Sequence, residues 1–148
     1  MRRRTRFGRR LGTAIARIHV HWAFASRARH RYGQVLFLFI DDDESVTDAF
    51  VELAASLGHR AEVAHSGSEA LRLAGQTRYD TVFMDIGLGD IDGRTLCDYI
   101  RAVGPSREAC IVAITGLSDF DVATSPQFDG CLRKPVTAIE LTGVIGRC

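Results

Sequence analysis

The stretch Val35-Leu36-Phe37-Leu38-Phe39-Ile40-Asp41-Asp42-Asp43 decides the fold: six apolar residues run without a polar break and stop abruptly at three acids. A continuous apolar run of this length predicts a strand buried on both faces, because a half-solvated strand would alternate. Beyond the acids, Ser45 is the expected N-cap of a helix in which Val46, Phe50, Leu53, Ala54 and Leu57 recur at helical spacing, with Gly58 as its stop.

The same unit repeats. A strand is expected at Ala61 to Ala64 and a helix from Ser68 to Gly75. Thr81 to Met84 reads as a strand ending on Asp85, followed by a helix at Arg94 to Val103 that Gly104-Pro105 terminates. Cys110 to Ile114 is a fourth apolar strand, ending at Thr115-Gly116. A weaker segment leads to a fifth short strand at Gly130 to Leu132 and a last helix at Ala138 to Ile145. Five strands alternating with helices predict a (βα)₅ α/β domain, a doubly wound parallel sheet covered on both faces. In such sheets ligands bind beyond the carboxyl ends of the strands. Those ends carry Asp41 and Asp42, then Asp85, Thr115 and Lys134.

Composition agrees with a globular domain. The chain has 148 residues, 46% of them hydrophobic and 25% charged, and no apolar run approaches a membrane span. Its net charge of +1 conceals a split between two segments. Residues 1–33 hold ten Arg and no acid, whereas 34–148 hold the other nine Lys and Arg and all eighteen Asp and Glu, a net −9. We therefore divide the chain into an Arg-rich arm, 1–33, expected to be disordered or irregular, and a domain, 34–148. The arm breaks its apolar patches with Arg17, His19 and His21, which argues against an export signal. It could also be an amphipathic helix, or follow from a start codon placed too far upstream. Ten arginines would attract phosphates of nucleic acid or of a membrane surface, without specificity. The scattered cysteines, Cys97, Cys110, Cys131 and Cys148, form no CxxC and read as reduced packing thiols in a cytoplasmic protein.

Three carboxylates crowded at strand ends repel one another, and a divalent cation resolves the repulsion. An all-oxygen donor set favours Mg²⁺, with Mn²⁺ as the alternative ion. A carboxylate is a known nucleophile toward phosphoryl groups, and the transfer needs mainly in-line positioning and charge neutralisation. The Lys134 ammonium and Thr115 hydroxyl suit the phosphoryl oxygens.

Together, FIDDD (39–43), MDIGLGDIDG (84–93), AITG (113–116) and LRKP (132–135) resemble the receiver domain of two-component response regulators. Any one piece alone would be weak: a lone DDD is an ordinary charge cluster at a helix start, and a lone Lys134 an ordinary surface lysine. The resemblance implies the flavodoxin-like strand order 2-1-3-4-5. It implies Asp85 as phosphoacceptor, Asp42 as direct metal ligand, Asp41 as its water-mediated neighbour, and the Gly87 backbone carbonyl as a further metal contact. It also implies Thr115 as switch hydroxyl, Gly116 as its small neighbour, and a cis bond between Lys134 and Pro135. Asp43 falls to the loop, and Asp90 and Asp92 to a solvated turn before Gly93. The implied partners are a sensor histidine kinase or a histidine phosphotransfer protein and an unknown downstream protein.

The sequence departs from the family pattern in four places. Thr115 and Lys134 lie 19 residues apart, about one helical turn short, so the fourth helix, at 119–127 with Pro126 inside it, is expected to be shortened. Cys131 stands where the family often carries an aromatic switch residue, and Phe120 or Phe128 could substitute. Gly89 replaces a common proline, which predicts a more flexible loop after the acceptor. Gly87 and Leu117 offer no side chain to orient attacking water, which implies a long-lived phosphoryl group.

The function expected is a phosphorelay or protein-binding switch without an output domain of its own, self-catalysed in phosphotransfer and dephosphorylation but not an enzyme otherwise. Two alternatives are a degenerate receiver acting as a scaffold and a phosphatase similar to the haloacid dehalogenases. The latter require an acid where Gly87 stands.

Overall fold

A computed structural model describes residues 34–116 and 125–148. The readings of the arm, of Leu117 and Phe120, and of the fourth helix apart from its last three residues lie outside these. Five strands form one parallel sheet: β1 (Leu36–Ile40), β2 (Arg60–Ala64), β3 (Thr81–Asp85), β4 (Cys110–Thr115) and β5 (Gly130–Arg133), in the order β2-β1-β3-β4-β5. Four helices are described: α1 (Glu44–Ser56), α2 (Gly67–Gln76), α3 (Gly93–Ala102) and α4 (Ala138–Ile145). This is the expected doubly wound, flavodoxin-like fold, and apart from the fourth helix each expected element appears within one or two residues of its predicted bounds.

The central strands explain why VLFLFI had to be apolar throughout. Leu38 and Ile40 of β1, with Val82 and Met84 of β3, pack on one face against Leu96 and Ile100 of α3 and Ala70 of α2. Phe37 and Phe39, with Phe83, pack on the other against Phe50 of α1 and Leu141 of α4. Alternate side chains of a strand point to opposite faces, so a strand with helices on both sides has no face left for polar groups. Phe39 stacks between Phe50 and Phe83, with ring centroids 4.7 and 4.9 Å away. Such pairs add about 0.5–1.5 kcal/mol each beyond the area they bury.

Two local readings are corrected. Asp43, not Ser45, is the N-cap of α1: its carboxylate accepts from the Ser45 amide at 2.9 Å and from the Ser45 hydroxyl at 2.6 Å. The helix starts two residues early because a carboxylate at this position both satisfies free amides and meets the positive end of the helix dipole. Nor do Asp90 and Asp92 sit in a merely solvated turn. Asp92 caps α3 through the Thr95 amide, and Asp90 reaches across to α2. Gly58 ends α1 as expected, at φ +79°, a backbone conformation that side chains disfavour.

A third correction concerns the cysteines. Cys110, the first residue of β4, and Cys148, just after α4, are joined in a disulfide with their Cα atoms 5.7 Å apart. The two residues are 38 apart in sequence, and only the packing of α4 beside β4 and β5 brings them together. Cys97 and Cys131 are free thiols, as expected. Burial pushes both thiols above their usual range, which keeps them protonated.

Candidate functional site

The parallel register places the ends of β1 and β3 side by side: Ile40 pairs with Met84, so Asp41 and Asp85 leave the sheet at the same level. Carboxylate oxygens of Asp41, Asp42 and Asp85 lie within 4.8 Å of one another. Asp41 and Asp85 are buried, and Asp42 is exposed. Concentrated negative charge of this kind requires a counter-charge. Lys134 supplies one, its Nζ donating to Asp41 Oδ2 and to Asp85 Oδ2, each at 2.9 Å. Burial alone would lower the pKa of this ammonium. The bonds and charges of Asp41 and Asp85 outweigh that, so the pKa lies above its usual value and Lys134 stays charged.

The remaining expected residues surround this cluster. The Gly87 amide donates to Asp85 Oδ1 at 3.1 Å, fixing the carboxylate from the loop side. Thr115 is fully buried at the end of β4, its hydroxyl donating to the Gly116 carbonyl at 2.9 Å. Lys134 joins it through the backbone, its amide donating to the Thr115 carbonyl at 2.8 Å, and the Lys134–Pro135 bond is cis. Cys131 pairs with Ala113 in the β4–β5 register and packs, half-buried, against the α2–α3 side of the core. Phe128 is buried in that same layer, next to Gln127, whose carbonyl accepts from the Cys97 thiol at 3.3 Å.

Sequence reasoning missed the supports of the site. The ring Nδ1 of His65 lies 3.2 Å from the Asp41 carbonyl, placed to donate to it. The Asp41 carboxylate accepts from the Asp43 amide at 3.0 Å, which curls the chain around the first acid. Asp90 spans 23 residues to α2, and nothing near it in sequence signals that reach. His65 had no motif either, since it follows β2 rather than a strand bearing one of the acids.

Three carboxylates and a single ammonium leave the pocket net negative, and all donors are hard oxygens. That set fits Mg²⁺ or Mn²⁺, with Asp41, Asp42 and Asp85 as the residues to hold it. Among the described residues no helix is long and apolar enough to cross a membrane.

The fold and this pocket define a doubly wound α/β domain with an acidic cluster at its strand ends. The response regulator receiver domain model matches residues 37–145, and the chain belongs to that family of signalling domains. A sensor histidine kinase of Burkholderia thailandensis, AtsR, is 30% identical over 114 residues, covering 74% of this chain and 19% of that protein. The response regulator MprA of Mycobacterium tuberculosis is 28% identical over 108 residues, covering 72% of this chain and 47% of the regulator. The chain thus spans under half of either relative. Among solved structures, a receiver domain from Methylobacillus flagellatus superposes with TM-score 0.70 at 27% identity, covering 78% of this chain and 98% of its own. The receiver domain of the sensor histidine kinase PA1611 of Pseudomonas aeruginosa superposes with TM-score 0.69 at 27% identity, covering 78% and 97%. That structure carries a magnesium ion coordinated in its active-site cleft.

Proposed function

We propose that residues 34–148 accept a phosphoryl group on Asp85, in the presence of Mg²⁺, from a sensor histidine kinase or a histidine phosphotransfer protein. The domain would act in the cytoplasm as a phosphorelay intermediate or a protein-binding switch. The observation that carries this reading is the buried Asp85 carboxylate held between Lys134 and the Gly87 amide, beside Asp41 and Asp42. Metal ligation by Asp41, Asp42, Asp85 and the Gly87 carbonyl belongs to the same proposal.

In this reading an Asp85 oxygen attacks phosphorus as the phosphorus–nitrogen bond of a phosphohistidine breaks, and the departing imidazole nitrogen keeps the electron pair. Bound Mg²⁺ would supply positive charge to the phosphoryl oxygens as they shift between donor and acceptor. Lys134 is already charged and placed to exchange its bond to Asp85 for one to a phosphoryl oxygen. Thr115, next to Lys134 through the backbone, offers a hydroxyl to the same group. The acyl phosphate carries about 1.5 to 2 negative charges where the Asp85 carboxylate carried one, so an already negative pocket gains further charge, which favours any rearrangement that brings Thr115 and Lys134 inward.

The test is incubation with acetyl phosphate and Mg²⁺. Wild-type protein is expected to gain one phosphoryl group by mass, and Asp85→Asn to gain none. Equal labelling of the two would sink the acceptor assignment and leave the scaffold reading. Sustained turnover of a phosphate monoester would favour the phosphatase reading instead. Because Gly87 provides no side chain to orient water, the label is expected to persist in purified protein, and its rapid loss would contradict that expectation.

A further inference from the structure

The loop between Asp85 and α3 contains Gly87 and Gly89 and no proline, a composition that predicts mobility. Its surroundings oppose that. The Asp90 carboxylate accepts from the Gly67 amide at 2.9 Å and from the Ser68 amide at 3.0 Å, the first two residues of α2. Ser66 takes the Glu69 amide at 3.2 Å, so the two side chains divide the free amides of that helix start between them. Next to Asp90, Ile91 lies so close to Gly67 that a Cβ there would meet the Ile91 Cβ at 3.0 Å. Only glycine lets the loop seat on the helix at this distance. The amides of Gly67 and Ser68 hold the Asp90 carboxyl below the usual carboxylate range, so it is charged at neutral pH.

The other side of the pocket is tied to the same turn. His65, two residues before α2, places its ring on the Asp41 carbonyl, and its own amide donates to Glu69 of α2 at 3.0 Å. The first turn of α2 therefore braces the strand-end segments after both β1 and β3, from which the acids project.

We propose that Asp90 is a positioning residue for the acceptor site: its two bonds to α2 hold the loop so that Gly87 stays fixed against Asp85. The proposal rests on the acceptor reading for its consequence, not for its geometry. Asp90 contacts neither Asp85 nor the phosphoryl group and acts through the backbone of residues 86–89. The clamp supplies by tertiary contact the stiffness that a proline would supply covalently, and position 89 is open around its Cβ. Gly89 lacks the positive φ that proline cannot adopt, and a Cβ there would meet nothing within 4 Å.

The experiment compares wild type, Asp90→Ala, Asp90→Asn and Gly89→Pro/Asp90→Ala on the full chain, by amide hydrogen exchange without metal and by calorimetric Mg²⁺ titration. Asp90→Ala is expected to speed exchange of the Gly87 amide by about tenfold, since two bonds to a charged group are lost. It is also expected to weaken Mg²⁺ binding by about tenfold, as loss of an outer support of a metal site does. Asp90→Asn, keeping one acceptor oxygen, should fall between the two. The added proline should restore both readouts without restoring the helix cap, an outcome that a purely stabilising cap would not produce. A lower unfolding midpoint with unchanged Gly87 exchange would overturn the proposal, and so would failure of the proline to rescue. If wild type itself binds no Mg²⁺, the acceptor reading fails, and Gly87 exchange alone decides the clamp.

Discussion

The two ends of the sheet are built on opposite principles. At the carboxyl end, three carboxylates and one ammonium crowd together, two of the acids buried, with Thr115 beside them. Burying like charges is unfavourable, and Lys134 compensates only part of it. At the amino end there is no such cluster among the described residues; instead Cys110 opens β4 and is bonded to Cys148 beyond α4. One end keeps a net negative charge, which suits a cation. The other joins β4 covalently to Cys148 beyond α4, which adds stability in oxidising conditions without touching the charged end. The difference teaches that concentrated charge and covalent cross-linking are placed at opposite ends of the same sheet.

Cutting the amino end should have the largest effect on stability and little on chemistry. In oxidising buffer, Cys148→Ser is expected to lower the unfolding free energy by about 4 kcal/mol, the chain-entropy value for a 38-residue loop, read by denaturant titration. Its acetyl phosphate labelling should stay within about twofold of wild type, because no bond at the pocket changes. In a reducing buffer, as in a cytoplasm, the two proteins should unfold together.

The reverse cut is Lys134→Ala, which should slow labelling by about a hundredfold, the typical cost of losing one preorganised donor to a developing charge. Single-turnover labelling measures it, and an intact Cys110–Cys148 bond by mass would confirm that the amino end is untouched. Comparable loss of labelling in Cys148→Ser would break the comparison.

A smaller effect separates the ends by ligand. Mg²⁺ at ten times its dissociation constant should raise the unfolding free energy by about 1.4 kcal/mol, and chelation should remove the gain. Asp42→Asn should reduce that gain, because Asp42 is one of the three acids able to hold the ion.

The pH profile should show the smallest effects. Asp43 and Asp90 are held below their ordinary 3.8 and Glu140 below its ordinary 4.5, each by amide or hydroxyl donors. Groups shifted down in the folded state stabilise it above their unfolded pKa. These three contributions should therefore fade as pH falls below about 4.5, each by a small amount because the groups are fully exposed. On the alkaline side, Lys134 lies above its ordinary 10.5. Tyr79 lies above its ordinary 10.0 through burial and its bond to Glu62. Groups shifted up stabilise below their unfolded pKa, so stability should fall as pH rises beyond about 10. Thermal midpoints across pH follow both limbs.

Much of this was legible in the chain because it rests on local pattern. VLFLFI, TVFM and the apolar run from Cys110 announce buried strands, since helices on both faces leave no solvated side. The acids and Lys134 stand immediately after such runs, so recognising the strands placed them on one edge. Asp43 and Ser45 are a near miss: both can cap a helix, and which one does depends on the backbone leaving β1. The supports of the pocket were not legible. His65 reaches back across 24 residues to Asp41, and Asp90 across 23 to Gly67. Neither occupies a spacing that helix or strand periodicity distinguishes.

By itself, then, the sequence determined the order of elements, the burial of β1, β3 and β4, and the gathering of Asp41, Asp42, Asp85, Thr115 and Lys134 at the carboxyl edge. Burial period and strand-end position are properties of consecutive residues. Only the tertiary structure decided that Lys134 bridges Asp41 and Asp85, that Asp90 seats the acceptor loop on α2, and that Cys110 meets Cys148. Each of these joins groups far apart in the chain, and their distances are set by how helices pack on the sheet.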